Sequence, residues 1–538
     1  MASHQATTHP CIARDSSLYN LTPDASGGVW DLYRVSREFD SPSGDLNETL
    51  IENLNELASR DSRFADLRIQ GDTSPIRHPG EILLLDGSPS RLPLTMETAR
   101  VMRAHLNQLG LSIPVRVLNR REELLARAAE APRELLVISQ TAQKSLYDAT
   151  LAKVLESRGI VVAPGSLTAP GGPLSNKKTT YELLNGSSAD ATKPGVDGQG
   201  HRLTASYEVV ELNGGRPADT ASAILDRAST LSKKWGATTF FIKPQEGGGG
   251  RGCFRLDIYP DGFGLPDLSR LGVATDNATP LPLPLDPEND DHLRAMDWIA
   301  HRFQASPATS KAYIKTQRVA GGASPKVLGE TLRNCIPRLN SQLRESSRSR
   351  EDSIRLLAGA IENYEQLFDA RYKPLICEWI DFGLFSVRVH LRLSREGMVV
   401  ETLYARLFPV EFSDDSIGVV GVDSITNRTE GGMELNRYAP LLPPLVEYAG
   451  GAERLCGKLL GAFDAFARFL SLLDPDERSR VPIRAEFDLS PLNGLIAEGN
   501  ADPVRAQCAN SRWDGFSRNC VQWMEDALAF YSWKSQKL

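Results

Sequence analysis

From residue 81 onward, short apolar runs alternate with amphipathic stretches. Ile82-Leu83-Leu84-Leu85, Val115-Arg116-Val117-Leu118, Leu135-Leu136-Val137-Ile138 and Gly159-Ile160-Val161-Val162 are too short for helices, and turn residues such as Asp86-Gly87-Ser88-Pro89 interrupt them. Between the runs, residues 94–109, 120–131 and 149–157 carry apolar side chains at helical spacing. That rhythm predicts a parallel sheet with helices on its faces. Four strand–helix cycles within about 80 residues make a small doubly wound domain, for which the pattern sets bounds of 76–170.

The flanking pattern differs. Residues 1–75 are polar and weakly patterned apart from a predicted helix near 45–59, where Leu46, Leu50, Ile51 and Leu54 recur at helical spacing; they read as an N-terminal extension. Residues 164–175 are rich in glycine and proline and form a linker. Beyond it the pattern predicts helices at 177–184 and 220–235, strands at 238–243, 375–379, 385–393 and 398–407, and helices at 356–368 and 452–473. A closing hairpin (482–489 and 494–498) and a last helix at 520–531 follow. Residues 260–287 are dense in proline and glycine, 330–343 are helix-like and 342–353 are rich in serine and arginine. Together they suggest an insertion at about 260–370 within a unit spanning 171–510, with 511–538 as a C-terminal helix.

Composition narrows the function classes. Lys and Arg number 61 against 68 Asp and Glu, a net charge of −7 that excludes a generally basic nucleic-acid coat. No stretch approaches the roughly 20 apolar residues of a membrane span, and residues 1–17 lack the apolar core of a secretory signal. The expectation is a cytoplasmic protein that binds neither nucleic acid nor membrane. Seven scattered cysteines without a CxxC pair make neither a disulfide scaffold nor a zinc module.

Two segments carry chemistry. In Phe240-Phe241-Ile242-Lys243-Pro244-Gln245-Glu246-Gly247-Gly248-Gly249-Gly250-Arg251-Gly252, a strand delivers a lysine and a glycine run turns the chain. Glycines allow the backbone amides to approach phosphate oxygens, and the lysine adds a point charge. A dinucleotide fingerprint would have to open a helix, whereas a strand follows here. Asp381-Phe382-Gly383 lacks the H-R-D loop that a kinase would place before it. The second segment pairs Arg484-Ala485-Glu486-Phe487-Asp488 with Glu498-Gly499-Asn500 across a turn. Alternation puts Arg484, Glu486 and Asp488 on one face of a strand and Glu498 and Asn500 on one face of its neighbour. Two carboxylates and an amide oxygen form a hard-oxygen set suited to Mg²⁺, or equally a solvated polar face.

In this order the segments resemble the ATP-grasp superfamily. The pattern is a lysine–glycine-loop hairpin, the hinge-like Cys377-Glu378-Trp379-Ile380-Asp381, an R-x-D/E, and an E-x-N a dozen residues later. Asn176-Lys177-Lys178-Thr179-Thr180-Tyr181-Glu182-Leu183-Leu184 is similar to the family's D-K-x-x-T-x-x-L-L, with asparagine replacing aspartate. The resemblance implies a small doubly wound α/β pre-ATP-grasp domain followed by a two-lobed α+β ATP-grasp fold with a long insertion. It implies that Lys177 and Lys243 hold ATP phosphates beneath Gly247, Gly248, Gly249, Gly250 and Gly252, and that Glu378, Trp379, Ile380 and Asp381 receive adenine and ribose. Glu486, Glu498 and Asn500 would bind Mg²⁺, with Mn²⁺ able to replace it, and Arg484 would stabilise the transferring phosphoryl group. Arg388 and Arg406 are then substrate-binding cations; Arg388, His390 and Arg392 share a strand face that reads equally as a carboxylate row or a solvated face. Leu384 stands where many relatives carry a ribose-binding glutamate. The activity implied is ligation of a small-molecule carboxylate to an amine, of amino-acid or peptide type, through an acyl phosphate with release of ADP and phosphate. A phosphotransferase and a non-catalytic nucleotide-binding regulator are the alternatives, and a homo-oligomer is compatible with any of them.

Overall fold

The computed structural model describes residues 43–70, 76–86, 92–130, 134–139, 145–185, 202–212, 215–246, 254–259, 262–264, 347–363, 373–380, 385–407, 410–412, 419–422, 429–430, 433–434, 437–439, 441, 446, 449–502 and 516–537. The first described element is helix α1 (Ser43–Arg60), and a parallel sheet follows. Its strands are β1 (Glu81–Leu85), β2 (Val115–Leu118), β3 (Leu135–Ser139) and β4 (Val161–Ala163), in the order β2-β1-β3-β4. Helices α2 (Leu92–Gln108), α3 (Arg121–Glu130) and α4 (Ala149–Ser157) connect them. Alternation sorts the apolar runs: Ile82, Leu84, Leu136 and Ile138 pack with Met102 and Leu106 of α2, while Leu83, Leu85, Leu135 and Val137 pack with α3 and α4. Both faces of β1, β3 and β4 are buried, which is why those strands read as nearly unbroken apolar runs, while β2 at the edge exposes Arg116.

Helix α5 (Lys177–Asn185) leads into a six-stranded antiparallel sheet ordered β5-β10-β6-β7-β8-β9. Its elements along the chain are β5 (Tyr207–Val209), α6 (Pro217–Trp235), β6 (Thr239–Pro244), β7 (Phe254–Tyr259), β8 (Gly262–Gly264), β9 (Ser347–Arg348), α7 (Arg350–Asn363) and β10 (Pro374–Glu378). Helices α6 and α7 bury Ile224, Leu225, Leu231, Leu357 and Ile361 on one face, against Phe240, Ile242 and Ile376. Helix α6 stops at Gly236, whose φ of 67° is open to glycine at little cost. The described residues 262–264 and 347–363 fall inside the span expected to be an insertion, yet they build the edge of this sheet and one of its covering helices. The helix expected at 330–343 lies outside the described residues.

The second antiparallel sheet has five strands in the order β17-β12-β11-β18-β19. It opens with the hairpin β11 (Phe385–Ser394) and β12 (Gly397–Leu407), turning at Gly397 with φ 123°. Two short pairs, β13 (Val410–Phe412) with β14 (Val419–Val422) and β15 (Thr429–Glu430) with β16 (Met433–Glu434), precede β17 (Arg437–Ala439). Helices α8 (Ala452–Leu459), α9 (Gly461–Ser471) and α10 (Pro475–Arg480) come before β18 (Ile483–Leu489) and β19 (Ile496–Asp502). The single helix expected at 452–473 is two, broken at Leu460 beside Gly461, where glycine weakens the helix. Val387, Val389, Leu391 and Phe487 bury one face of the sheet against Phe463, Phe466 and Phe469 of α9. Leu50 and Leu54 of α1 belong to the same core, so the expected extension contributes structure here. The last helix, α11 (Phe516–Lys537), returns to the parallel sheet with Trp523, Met524, Ala527 and Phe530. The fold is thus the expected mixed class: a small parallel α/β unit, then two antiparallel sheets with helices. Among the described residues no helix is long and apolar enough to cross a membrane.

Candidate active site

The inner face of the six-stranded sheet presents Lys243. Ile242 points into the helix-covered core, so by alternation Lys243 points the other way, toward α5. Lys243 is 6% exposed; its Nζ donates to the Tyr181 hydroxyl and lies 4.5 Å from the Tyr181 ring centroid and 5.6 Å from that of Phe241. Tyr181 stacks on Tyr207 with centroids 5.3 Å apart. Burial lifts the Tyr181 hydroxyl to about 12 despite the lysine beside it, so it stays protonated. The strand end and the helix start are joined directly. The Lys177 amide donates to the Gln245 carbonyl at 2.8 Å, and the Asn176 side chain reaches the Gln245 amide oxygen at 3.3 Å. Asn176 also accepts from the Lys178 amide at 2.9 Å; the helix-capping role explains why asparagine serves where aspartate was expected. Lys177 and Lys243 therefore belong to one corner, from which the glycine run departs. Gly247, Gly248, Gly249, Gly250 and Gly252 lie outside the described residues.

The hinge segment crosses from one sheet to the other. The Glu378 amide donates to Ser206 O at 2.8 Å and the Trp379 amide to Thr239 O at 3.2 Å, so both serve the sheet. The Glu378 carboxylate, expected near adenine or ribose, is paired with Arg202 at 2.8 Å and accepts from the Ser206 hydroxyl. Trp379 meets Phe241 edge to face, and Ile380 is buried in the core of the five-stranded sheet. Asp381 lies outside the described residues.

On the polar face of that sheet the strand registers align the remaining candidates. Arg388 stands opposite Asp488, which stands opposite Glu498; His390 stands opposite Glu486, which stands opposite Asn500. Arg388, 2% exposed, clamps Asp488 with Nε and Nη2 and reaches Glu486 Oε2 with Nη1 at 3.3 Å. Burial works against its charge, but Asp488 and Glu486 outweigh it and raise its affinity for the proton further. As placed, Arg388 is the counter-charge to the acids that β18 sets opposite it. Arg392 is likewise held by Asp526 of α11 at 2.7 Å. Arg484 takes Glu401 at 2.8 Å and lies 2.6 Å from Asp526, so as placed it anchors the sheet to α11. Arg406 pairs with Ser386 in the β11–β12 register, at the hinge end of the sheet; the side chains of Arg406 and Asn500 lie outside the described residues.

The registers gather acidic side chains on this face. Glu486, Asp488 and Arg388 are buried and leave one negative charge in excess, and Glu498 adds another beside them. Among the described residues no group of three or more His, Cys, Asp or Glu side chains is placed to hold a metal ion.

His390 is buried beside this cluster, with Nε2 3.2 Å from the Tyr404 hydroxyl. Burial pushes its pKa down from 6.5 to about 4, against the pull of Glu486. The unfolded chain therefore takes up a proton near 6.5 that the folded chain refuses. The stability tied to neutral His390 is complete above pH 6.5 and is lost as pH falls toward 4, at up to about 1.4 kcal/mol per pH unit. Asp526, raised by burial, acts with the opposite sign at the acid end. Urea midpoints measured from pH 7 to 4.5 should fall in the parent and fall less steeply in His390→Gln.

Three contacts bring the two sheets together. Thr204 Oγ1 donates to Ile496 O at 2.5 Å, the Ile496 amide donates to Leu203 O at 2.8 Å, and Tyr181 Oη donates to Ala497 O at 3.2 Å. They cover the outer edge of β19, the strand of Glu498 and Asn500. The sequence reading assigned no role to Asn176, Tyr181, Gln245 or Asp488. Two of these stand inside the quoted lysine motif, and Asp488 falls on the alternation of Glu486, so a signal was present for each.

No protein-family model matches the chain, and no curated protein matches it. Solved structures similar to it include the D-alanine–D-alanine ligase of Bacillus anthracis, at 11% identity over 84% of this chain and 98% of that one (TM-score 0.38). The D-alanine–D-alanine ligase of Coxiella burnetii is similar at 9% identity over 85% and 96% (TM-score 0.39). The N5-carboxyaminoimidazole synthetase of Staphylococcus aureus, complexed with ADP, is similar at 9% identity over 83% and 78% (TM-score 0.35). At such values the likeness assigns no role to any residue.

Proposed function

We propose that the chain is an ATP-dependent ligase of the ATP-grasp kind, joining a carboxylate to an amine through an acyl phosphate. The observation that carries the reading is the convergence of two separate motifs. The Lys177–Gln245–Lys243 corner and the Glu486–Glu498 strands are more than two hundred residues apart in sequence, yet they meet through Tyr181, Leu203 and Thr204. In this reading Lys177 and Lys243 bind the phosphates, and Glu378 to Asp381 line the adenine side. Glu486, Glu498 and Asn500 hold Mg²⁺, which when bound offsets charge on the phosphates. Positioning and electrostatics then suffice, since the substrate carboxylate is itself the nucleophile toward the γ-phosphorus and the amine takes the acyl group. Arg406, at the hinge end of β11–β12, is the candidate for the substrate carboxylate. Arg388 fixes Glu486 from behind, and Arg484 could reach a phosphoryl group only by leaving Glu401 and Asp526.

The test is ADP release from Mg-ATP across a panel of amino acids, dipeptides and polyamines. A ligase releases ADP and phosphate only when both a carboxylate and an amine are present. ADP release with one acceptor and no free phosphate would establish a phosphotransferase instead, and tight ATP binding without turnover a regulator. Lys243→Ala should weaken ATP binding by ~1.5–3 kcal/mol, the value of a hydrogen bond to a charged group. Calorimetry showing unchanged affinity would remove Lys243 from the nucleotide site.

A further inference from the structure

We infer that Tyr181 is a positioning residue for Lys243, holding its ammonium in the place from which it meets the nucleotide phosphates; this rests on the proposed assignment of Lys243. A lysine side chain is a flexible four-carbon stem with a mobile charge. Here the charge is held by the Tyr181 hydroxyl, with the ring centroids of Tyr181 and Phe241 4.5 Å and 5.6 Å away. The hydroxyl cannot turn away easily. Its own proton is directed to the Ala497 carbonyl at 3.2 Å, so a lone pair is left to accept from Lys243. The ring in turn is stacked on Tyr207. An ammonium ordered before the ligand arrives loses less freedom when the phosphate binds. Because Ala497 directly precedes Glu498, the same oxygen also sets the distance between the phosphate-binding charge and the strand of the metal ligands.

The test is a double-mutant cycle on AMP-PNP affinity in the presence of Mg²⁺, using the full chain with Tyr181→Phe, Lys243→Met and both together. Phenylalanine keeps the ring and its stacking and removes only the oxygen. Tyr181→Phe should weaken AMP-PNP binding by roughly tenfold in the parent, about the effect of one hydrogen bond, and should have no further effect once Lys243 is methionine. Equal losses in both backgrounds would mean that Tyr181 serves the fold alone and would overturn the inference, as would no loss in the parent. Should Lys243→Met itself bind like the parent, the nucleotide reading fails along with it, an outcome visible in a separate arm. If Tyr181→Phe does not fold, 3-fluorotyrosine at position 181 weakens the oxygen as an acceptor while keeping it in place. It should shift affinity in the same direction by a smaller factor, and no shift would overturn the inference.

Discussion

Glu498→Gln is expected to lower turnover by about 100-fold or more, equivalent to ~2.7 kcal/mol of barrier, while the urea midpoint stays within error of the parent. The substitution keeps size and reach but removes a formal charge from the edge strand, where Glu498 stands beside Asp488 in register and two positions from Asn500. Charge on the transferring phosphoryl group must be offset by cations whose placement depends on such carboxylates. Glu498 is only partly buried, and easing a crowded acidic row does not weaken the fold. The measurement is ADP release on whichever substrate pair the screen identifies, with Mn²⁺ binding followed in parallel. Parent-level turnover in this variant would show that the hairpin β18–β19 is not the metal site.

The largest effect on stability is expected at Arg388. Its side chain and that of Asp488 are 2% and 0% exposed, and Glu486 is scarcely more accessible at 7%. Arg388→Met leaves two carboxylates in a low-dielectric interior without their counter-charge, a defect that typically costs about 3–5 kcal/mol. Removing Asp488 as well should restore much of the loss. The Arg388→Met/Asp488→Leu double variant is therefore expected to be more stable than Arg388→Met alone by ~2 kcal/mol or more, because apolar replacements of buried pairs are often close to neutral. Denaturant titration of the parent and the two variants decides it. A single variant as stable as the parent would mean that the triad is solvated in solution.

The fold was legible where burial is two-sided or strictly alternating. Three runs of the parallel sheet, β1, β3 and β4, announced themselves because both faces of each strand are buried, and the hairpin of Glu486 and Glu498 because each second residue is apolar. The returning strand runs further than expected, to Asp502. Gly499 belongs inside it: a Cβ there would come within 2.7 Å of the Phe487 ring, so a residue that reads as a turn is required by a ring. The break at Leu460 escaped notice because the apolar spacing of α8 and α9 continues across it.

The candidate site divides along the same line. Residue types and spacing pointed to Lys177, Lys243, Glu486 and Glu498 as a set. They could not show that Arg388 and Arg484 are already engaged, because the partners Glu401, Asp488 and Asp526 come from other strands and from the last helix. Ion pairs formed across a sheet leave no periodic trace in one dimension.

Helix α11 has a consequence for how the chain is made. Ile82, Leu84, Leu136 and Ile138 are translated early, and one side of their sheet is completed by Trp523, Met524, Ala527 and Phe530, which leave the ribosome after both antiparallel sheets. Among the described residues, the buried ones packed with that face before α11 is made come from α2 and Val481. Nascent chains stalled before residue 516 should therefore bind apolar dyes and chaperones that finished chains refuse. The same later arrival brings Asp526 to Arg392 and Arg484, so α11 both closes the parallel sheet and locks the strand that carries Glu486.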